Sequence, residues 1–151
     1  MQIEEFFIDL VVENSFNDFV YLIESGKVDP AYDNHLALVI AVEENKYNFV
    51  KYLLNLNLNI SHLNHLLFQQ TIEYNSDLIL PLLLKDRRFS VEDNNFYPLR
   101  FALKHQNINF VKLLLEEKDI KDNINLEWIS LNIKNKKELN IINSFYKVLC
   151  F

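Results

Sequence analysis

Four histidines, His35, His62, His65 and His105, are the side chains here whose charge can change near neutral pH. The His62-x-x-His65 spacing would set two imidazoles on one helix face, where a transition metal could sit. Metal sites usually take three or four protein ligands, and no Asp, Glu or Cys accompanies the pair at ligand spacing. A polar loop running into a helix start is the expectation, with no metal and no cofactor. Nucleophilic catalysis finds no better footing, since Gly-x-Ser-x-Gly and His-Glu-x-x-His are both missing from the sequence. The paired acids Glu43–Glu44 and Glu116–Glu117 diverge by about 100° on a helix, so neither pair forms an acid/base couple. Cys150 allows no internal disulfide and fits no terminal lipidation pattern, and reads as a semi-buried apolar residue of the last helix. No catalytic residue is assigned.

Composition narrows the remaining classes. Average usage of glycine is about 7%, yet Gly26 is the only one in 151 residues. Phosphate-cradling loops and dinucleotide folds need several, so both are excluded. Fifteen basic against 21 acidic residues give a net charge of −6, which argues against general nucleic-acid binding. Lys134, Lys136 and Lys137 make a small basic cluster, read as a solvated capping surface. With 50% apolar and 24% charged residues, the chain suits one folded domain with a real core. A membrane span needs roughly 20 uninterrupted apolar residues, whereas runs such as Leu78–Leu84 are short and contain Pro81. The acidic start carries no secretory pattern, so an intracellular, cytoplasmic protein is expected.

The elements that position these side chains come in a repeat. Asp33-Asn-His-Leu-Ala-Leu-Val-Ile-Ala41 precedes Val50-Lys-Tyr-Leu-Leu54, and Asn95-Phe-Tyr-Pro-Leu-Arg-Phe-Ala102 precedes Val111-Lys-Leu-Leu-Leu115, with nine residues from Ala to Val in both. The copies lie 61 apart, which leaves room for one unit between them. A step of 31 back from Ala41 reaches Leu10, with Phe19, Leu22 and Ile23 following; a step of 30 forward reaches Thr71, with Leu80, Leu83 and Leu84. A fifth unit with Ser130, Leu139 and Ile142 fits at a step of 28 as a divergent cap. Each unit splits into two short helical patterns. Asn14, Asn45, Asn75 and Gln106 stand between them, where a left-handed residue ends a helix. Helix, tight turn, helix and a polar connection make an all-α solenoid. Pro81 requires the second helix of the third unit to start late or to kink. Phe19, Phe101 and Phe110 read as core or inter-repeat packing, and Trp128 as the seal on the open end of the stack.

Tyr97-Pro-Leu-Arg-Phe-Ala102 resembles the ankyrin signature Thr-Pro-Leu-His-x-Ala, and Val111-Lys-Leu-Leu-Leu115 is similar to that family's Val-x-x-Leu-Leu second helix. Asp29-Pro-Ala-Tyr-Asp-Asn34 leading into Leu36-Ala-Leu38 resembles divergent ankyrin repeats, abundant in large DNA viruses and AT-rich microbes. The resemblance implies about five helix-turn-helix units in one domain 1–151, near 1–28, 29–60, 61–91, 92–122 and 123–151. Ankyrin units typically run about 33 residues. These run 28–31, and Leu56-Asn-Leu-Asn59 replaces the family's Gly-Ala-Asp loop, which argues against a regular β-hairpin.

The resemblance also implies a non-catalytic protein-binding module with a concave face. That face uses residues just before each first helix and on the helix's exposed side. In the gapless register these are Tyr32, Asp33, His35, Glu43 and Glu44; then His62, His65, Glu73 and Tyr74; then Asp93, Asn94, Phe96, Lys104 and His105. The face is acidic toward its N-terminal half, so the expected partner is a protein with a basic or mixed surface. By analogy with viral and microbial relatives, it would be a host protein engaged or blocked in the cytoplasm. Two alternatives remain: a homodimer through apolar ends such as Phe6, Phe7, Phe145 and Phe151, and a helical enzyme with a cryptic site.

Overall fold

The apolar stripes fold as eleven α-helices among residues 2–149, which a computed structural model describes. The architecture is an all-α helical-repeat solenoid. It falls into two compact units, Met1–Phe89 and Ser90–Phe151. The first holds three helix pairs: α1 (Ile3–Val12) and α2 (Phe16–Glu24), α3 (Tyr32–Glu43) and α4 (Tyr47–Asn55), then α5 (Asn64–Glu73) and α6 (Leu80–Lys85). A 3-10 turn, Ser61–Leu63, leads into α5. The second holds α7 (Asp93–Lys104), α8 (Ile108–Glu116), α9 (Lys118–Asn123), α10 (Leu126–Asn132) and α11 (Lys136–Leu149). The sequence pattern did not anticipate the short α9.

First helices pack side by side in the first unit, α3 lying against both α1 and α5. The register residues Leu10, Ala41, Thr71 and Ala102 are all buried, as are Phe19, Val50, Leu80 and Val111 on the second helices. Phe7 stacks on Phe19 at 4.5 Å, and Phe19 meets Phe49 edge-on at 5.0 Å. Burying such a side chain contributes about 1.5–3 kcal/mol, so this aromatic column joins the first two repeats firmly. In the second unit Phe110 is fully buried while Phe101 is only half-buried, and α11 covers α7 and α8 with Ile142 inside. Pro81 is resolved in favour of a late start: α6 begins at Leu80, so the missing N–H falls in its first turn.

The turns within the repeats follow one rule. Asn14, Asn45, Asn75 and Gln106 are left-handed, with φ of 62°, 53°, 54° and 54°. The amide after each donates to the carbonyl five residues back: Ser15 to Leu10, Lys46 to Ala41, Ser76 to Thr71 and Asn107 to Ala102. These are Schellman closures, and the acceptors are the register residues themselves. Gly26, at φ 68°, closes α2 in the same way.

Two structural devices were not foreseen. The first is a left-handed turn of three consecutive residues at the head of α3, Asp33–Asn34–His35, with φ of 47°, 54° and 64°. It recurs 61 residues later at Asn94–Asn95–Phe96, with φ of 50°, 57° and 56°. Left-handed backbone costs about 1–2 kcal/mol per residue outside glycine, least for Asn and Asp. His35 and Phe96 therefore need tertiary contacts to stay there. The second device is Arg88, whose guanidinium donates to the Leu54, Leu56 and Leu58 carbonyls at 2.5–3.1 Å and pairs with Asp86 at 2.6 Å. It satisfies the open carbonyl end of α4 from the far side of the third repeat.

Candidate functional site

In the first unit the predicted face divides between the two ends of α3 and α5. At the turn end, Asp29 Oδ1 accepts from the Ala31 amide at 2.8 Å and shapes the approach to Tyr32 and Asp33, both exposed. His35, on the same turn, points inward and is only 7% exposed. Its ring lies 5.7 Å from the ring of His62 and bonds to the Asn59 backbone, and its Nδ1 has no hydrogen-bond partner. His62 is exposed, with Nε2 3.0 Å from Asn34 Oδ1; His65 is exposed on α5. His62 is thus tied to the neighbouring repeat through Asn34.

At the opposite end, Glu43 is half-buried at the last turn of α3 and Glu44 caps it, while Glu73 and Tyr74 end α5. Burial, then the Glu44 and Glu73 carboxylates, push the Glu43 carboxyl above its ordinary value. The three acids thus form a real cluster, and it sits where helix carbonyl ends already carry negative charge. Between the two ends runs a stretch that the sequence reading passed over, made of the partly exposed Leu36, Ile40, Leu66 and Gln70. The signal was available: Leu36, Ile40 and Glu44 recur every fourth residue, as do Leu66, Gln70 and Tyr74. No Lys or Arg occurs in α1, α3 or α5.

The second unit repeats the turn with other chemistry. Phe96 is 9% exposed and meets Trp128 edge-on at 5.9 Å. Trp128 Nε1 donates to Asn95 Oδ1 at 2.7 Å, and Asn95 Nδ2 to Asn132 Oδ1 at 2.5 Å. Trp128 thus locks the turn of the preceding repeat, which corrects its expected role as an end seal. Arg100 adds a second lock by donating to the Asn94 and Asn95 carbonyls at 2.8 and 3.0 Å. Asp93, Asn94, Lys104 and His105 are exposed. His105 stacks on Phe101 at 4.2 Å, and Tyr97 lies 5.7 Å from Phe101, giving α7 a ladder of rings along one side.

Of the apolar ends, Phe7 is core and Phe6 is exposed, which removes Phe7 from any dimer surface. Phe145 is half-buried, and Cys150 and Phe151 lie outside the described residues. No described helix is long and apolar enough to cross a membrane. Among the described residues no three His, Cys, Asp or Glu side chains converge as metal ligands.

The family model described as ankyrin repeats (3 copies) matches residues 38–127, more than half of the chain. No curated protein and no solved structure gave a significant match.

Proposed function

From the premise that this chain belongs to the ankyrin-repeat family, generally a family of protein-protein interaction modules and typically non-catalytic, we propose that it binds a protein with a basic surface on the exposed side of its first helices. The observation that carries this reading is the charge of that row in the first unit. The acids Glu43, Glu44 and Glu73 crowd together, and α1, α3 and α5 offer no cation to relieve them. A partner bringing Lys or Arg relieves the repulsion, and Leu36, Ile40, Leu66, Tyr32 and Tyr74 supply apolar and aromatic contact beside it. In the second unit Asp93, Lys104 and His105 continue the proposed set. His35 and Phe96 contribute by holding the turns that present their neighbours.

The reading takes the chain as one domain of five repeats. Resemblance to short proteins of large DNA viruses and AT-rich microbes extends it to a host protein engaged in the cytoplasm. The exposed Ile3, Phe6 and Val12 on α1 favour self-association as the second reading.

Affinity capture with mass spectrometry tests the proposal, comparing wild type with a variant carrying Glu44→Lys, Glu73→Lys and Tyr74→Ala. The expected result is a protein held by wild type and lost by the folded variant. Equal retention by both sinks the first-helix reading. A concentration-dependent mass in light scattering, with nothing else captured, supports the dimer instead.

A further inference from the structure

Both units use the same left-handed turn, yet the locks that hold them differ in one chemical respect. In the second unit the lock is Phe96 against Trp128, with Trp128 Nε1–H on Asn95 and the Arg100 guanidinium on two turn carbonyls. None of these groups changes its charge between acid and neutral pH. In the first unit the equivalent rings are His35 and His62, and the position equivalent to Arg100 is Val39. The first turn therefore hangs on two imidazoles, the His62–Asn34 bond and the bond from His35 to the Asn59 backbone.

Protonating His35 adds an N–H at Nδ1, a buried atom that faces no acceptor. A buried charged donor without a partner is strongly disfavoured, and a charged His62 ring 5.7 Å away opposes it further. The charged and titratable groups that reach the ring are His62, from the 3-10 turn, and Asp29, from the loop ahead of α3. The helices packed on α3 are α1, α4 and α5, and α5 carries a further imidazole, the exposed His65, three residues after His62. Burial first, then His62, hold the imidazole below its ordinary value, and the Asn59 bond and Asp29 offset this only in part.

We propose that the His35–His62 pair is a proton-operated joint: protonation of His35 opens the contact between the second and third repeats and releases the turn Asp33–His35, while the Phe96–Trp128 joint stays closed. The sign follows from linkage. A base whose folded pKa is depressed keeps its full stabilising effect above its unfolded value of 6.5, and loses it as pH falls below that value toward the folded one. The joint belongs to the free protein and stands whether or not a partner binds the proposed face.

Amide hydrogen exchange on the full chain, corrected for the intrinsic rate and compared at about pH 7.5 and about pH 5.5, reads the opening directly. The amides of His35 and Leu63, bonded to the Ala31 and Ile60 carbonyls, should lose about tenfold in protection. Those of Phe96 and Ile129, bonded to Glu92 and Asn125, should hold theirs. His35→Phe places the second unit's ring in the first turn and should abolish the loss. An equal loss at both turns, no loss at the first, or an unchanged loss in His35→Phe each overturns the joint. Should His35→Phe not fold, His62→Gln keeps a donor for Asn34 and removes the second imidazole. The His35 ring shifts should then titrate at higher pH, and an unmoved midpoint overturns the proposal.

Discussion

Gln106 occupies a backbone position that three other repeats give to Asn14, Asn45 and Asn75, all left-handed. Asn tolerates this region because its short side chain bonds locally, whereas Gln bears more of the penalty of about 1–2 kcal/mol. Gln106→Asn should therefore raise stability by about 0.5 kcal/mol, and Asn14→Gln should lower it by a similar amount. Urea denaturation of both variants checks this, and shifts of the same sign would show that the turn conformation does not set the difference. Asn45 is the less clean choice, because its Nδ2 also donates to Asp77 Oδ1 of the next repeat at 3.3 Å. These four turns could be read from the sequence because the requirement is local: one residue, one sign of φ, and a register residue five positions back. The Glu44 and Glu73 carboxylates act on Glu43, a proximity that follows from repeat spacing because α3 and α5 pack side by side. The inward turn of His35 and Phe96 was not readable. It depends on a reversal of backbone handedness that no neighbouring glycine announces, held by rings 27 and 32 residues away.

Helix α4 shows how an element can depend on one distant side chain. Its last turn leaves carbonyls open, and the following loop has no strand to pair with among the described residues. Arg88 fills that role for Leu54, Leu56 and Leu58 and is oriented by Asp86 through two further bonds, Nε to Oδ1 at 2.9 Å and Nη2 to Oδ2 at 2.6 Å. The hydrogen bonds from Arg88 hold the Asp86 carboxyl below the usual carboxylate range. Arg88→Met should cost about 2–4 kcal/mol, because it takes the guanidinium from a largely buried carboxylate, which keeps the residue-88 amide, and from three carbonyls, of which Leu56 keeps the Leu58 amide. The pH profile supplies the specific signature. An acid with a depressed folded pKa stabilises fully above its unfolded value of 3.8 and loses that effect as pH falls through the folded one. Wild type should thus lose stability steeply in that acid range, and Arg88→Met should show a flatter curve in chemical denaturation. A parallel fall in both would mean the pair does not carry the linkage. Nothing in the sequence marks Arg88 apart from Arg87, since its acceptors lie about 30 residues upstream and are backbone atoms. The helices themselves were readable for the opposite reason: their stripes and turn residues sit within a few positions of one another.

Charge is distributed unevenly over the whole molecule, and this bears on how a partner would arrive. Residues 1–89 carry thirteen acidic against six basic side chains, and residues 90–151 carry eight against nine. Nearly all the negative field therefore originates in the first unit, whose first helices hold no Lys or Arg to interrupt it. A basic partner is drawn to such a surface before contact, so the field acts on the association rate more than on the final fit. Screening shortens that reach to about 8 Å at physiological ionic strength, so binding of a basic partner should slow as salt is added. Glu44→Lys with Glu73→Lys should cut the association rate about tenfold and flatten its salt dependence, while Lys112→Glu, exposed on α8 and outside the proposed set, should leave both nearly unchanged. Stopped-flow or surface-capture kinetics with the identified partner measure these effects. Protons give an independent check, because the crowded Glu43 carboxyl is held above its ordinary value and a cation docked beside it would bring it back down. Affinity should therefore weaken as pH falls into the raised Glu43 range, where the unbound protein takes up a proton that the complex excludes. A rate insensitive to salt, together with an affinity flat across that range, would leave the acidic row as solvated surface and move recognition to the aromatic ladder of α7.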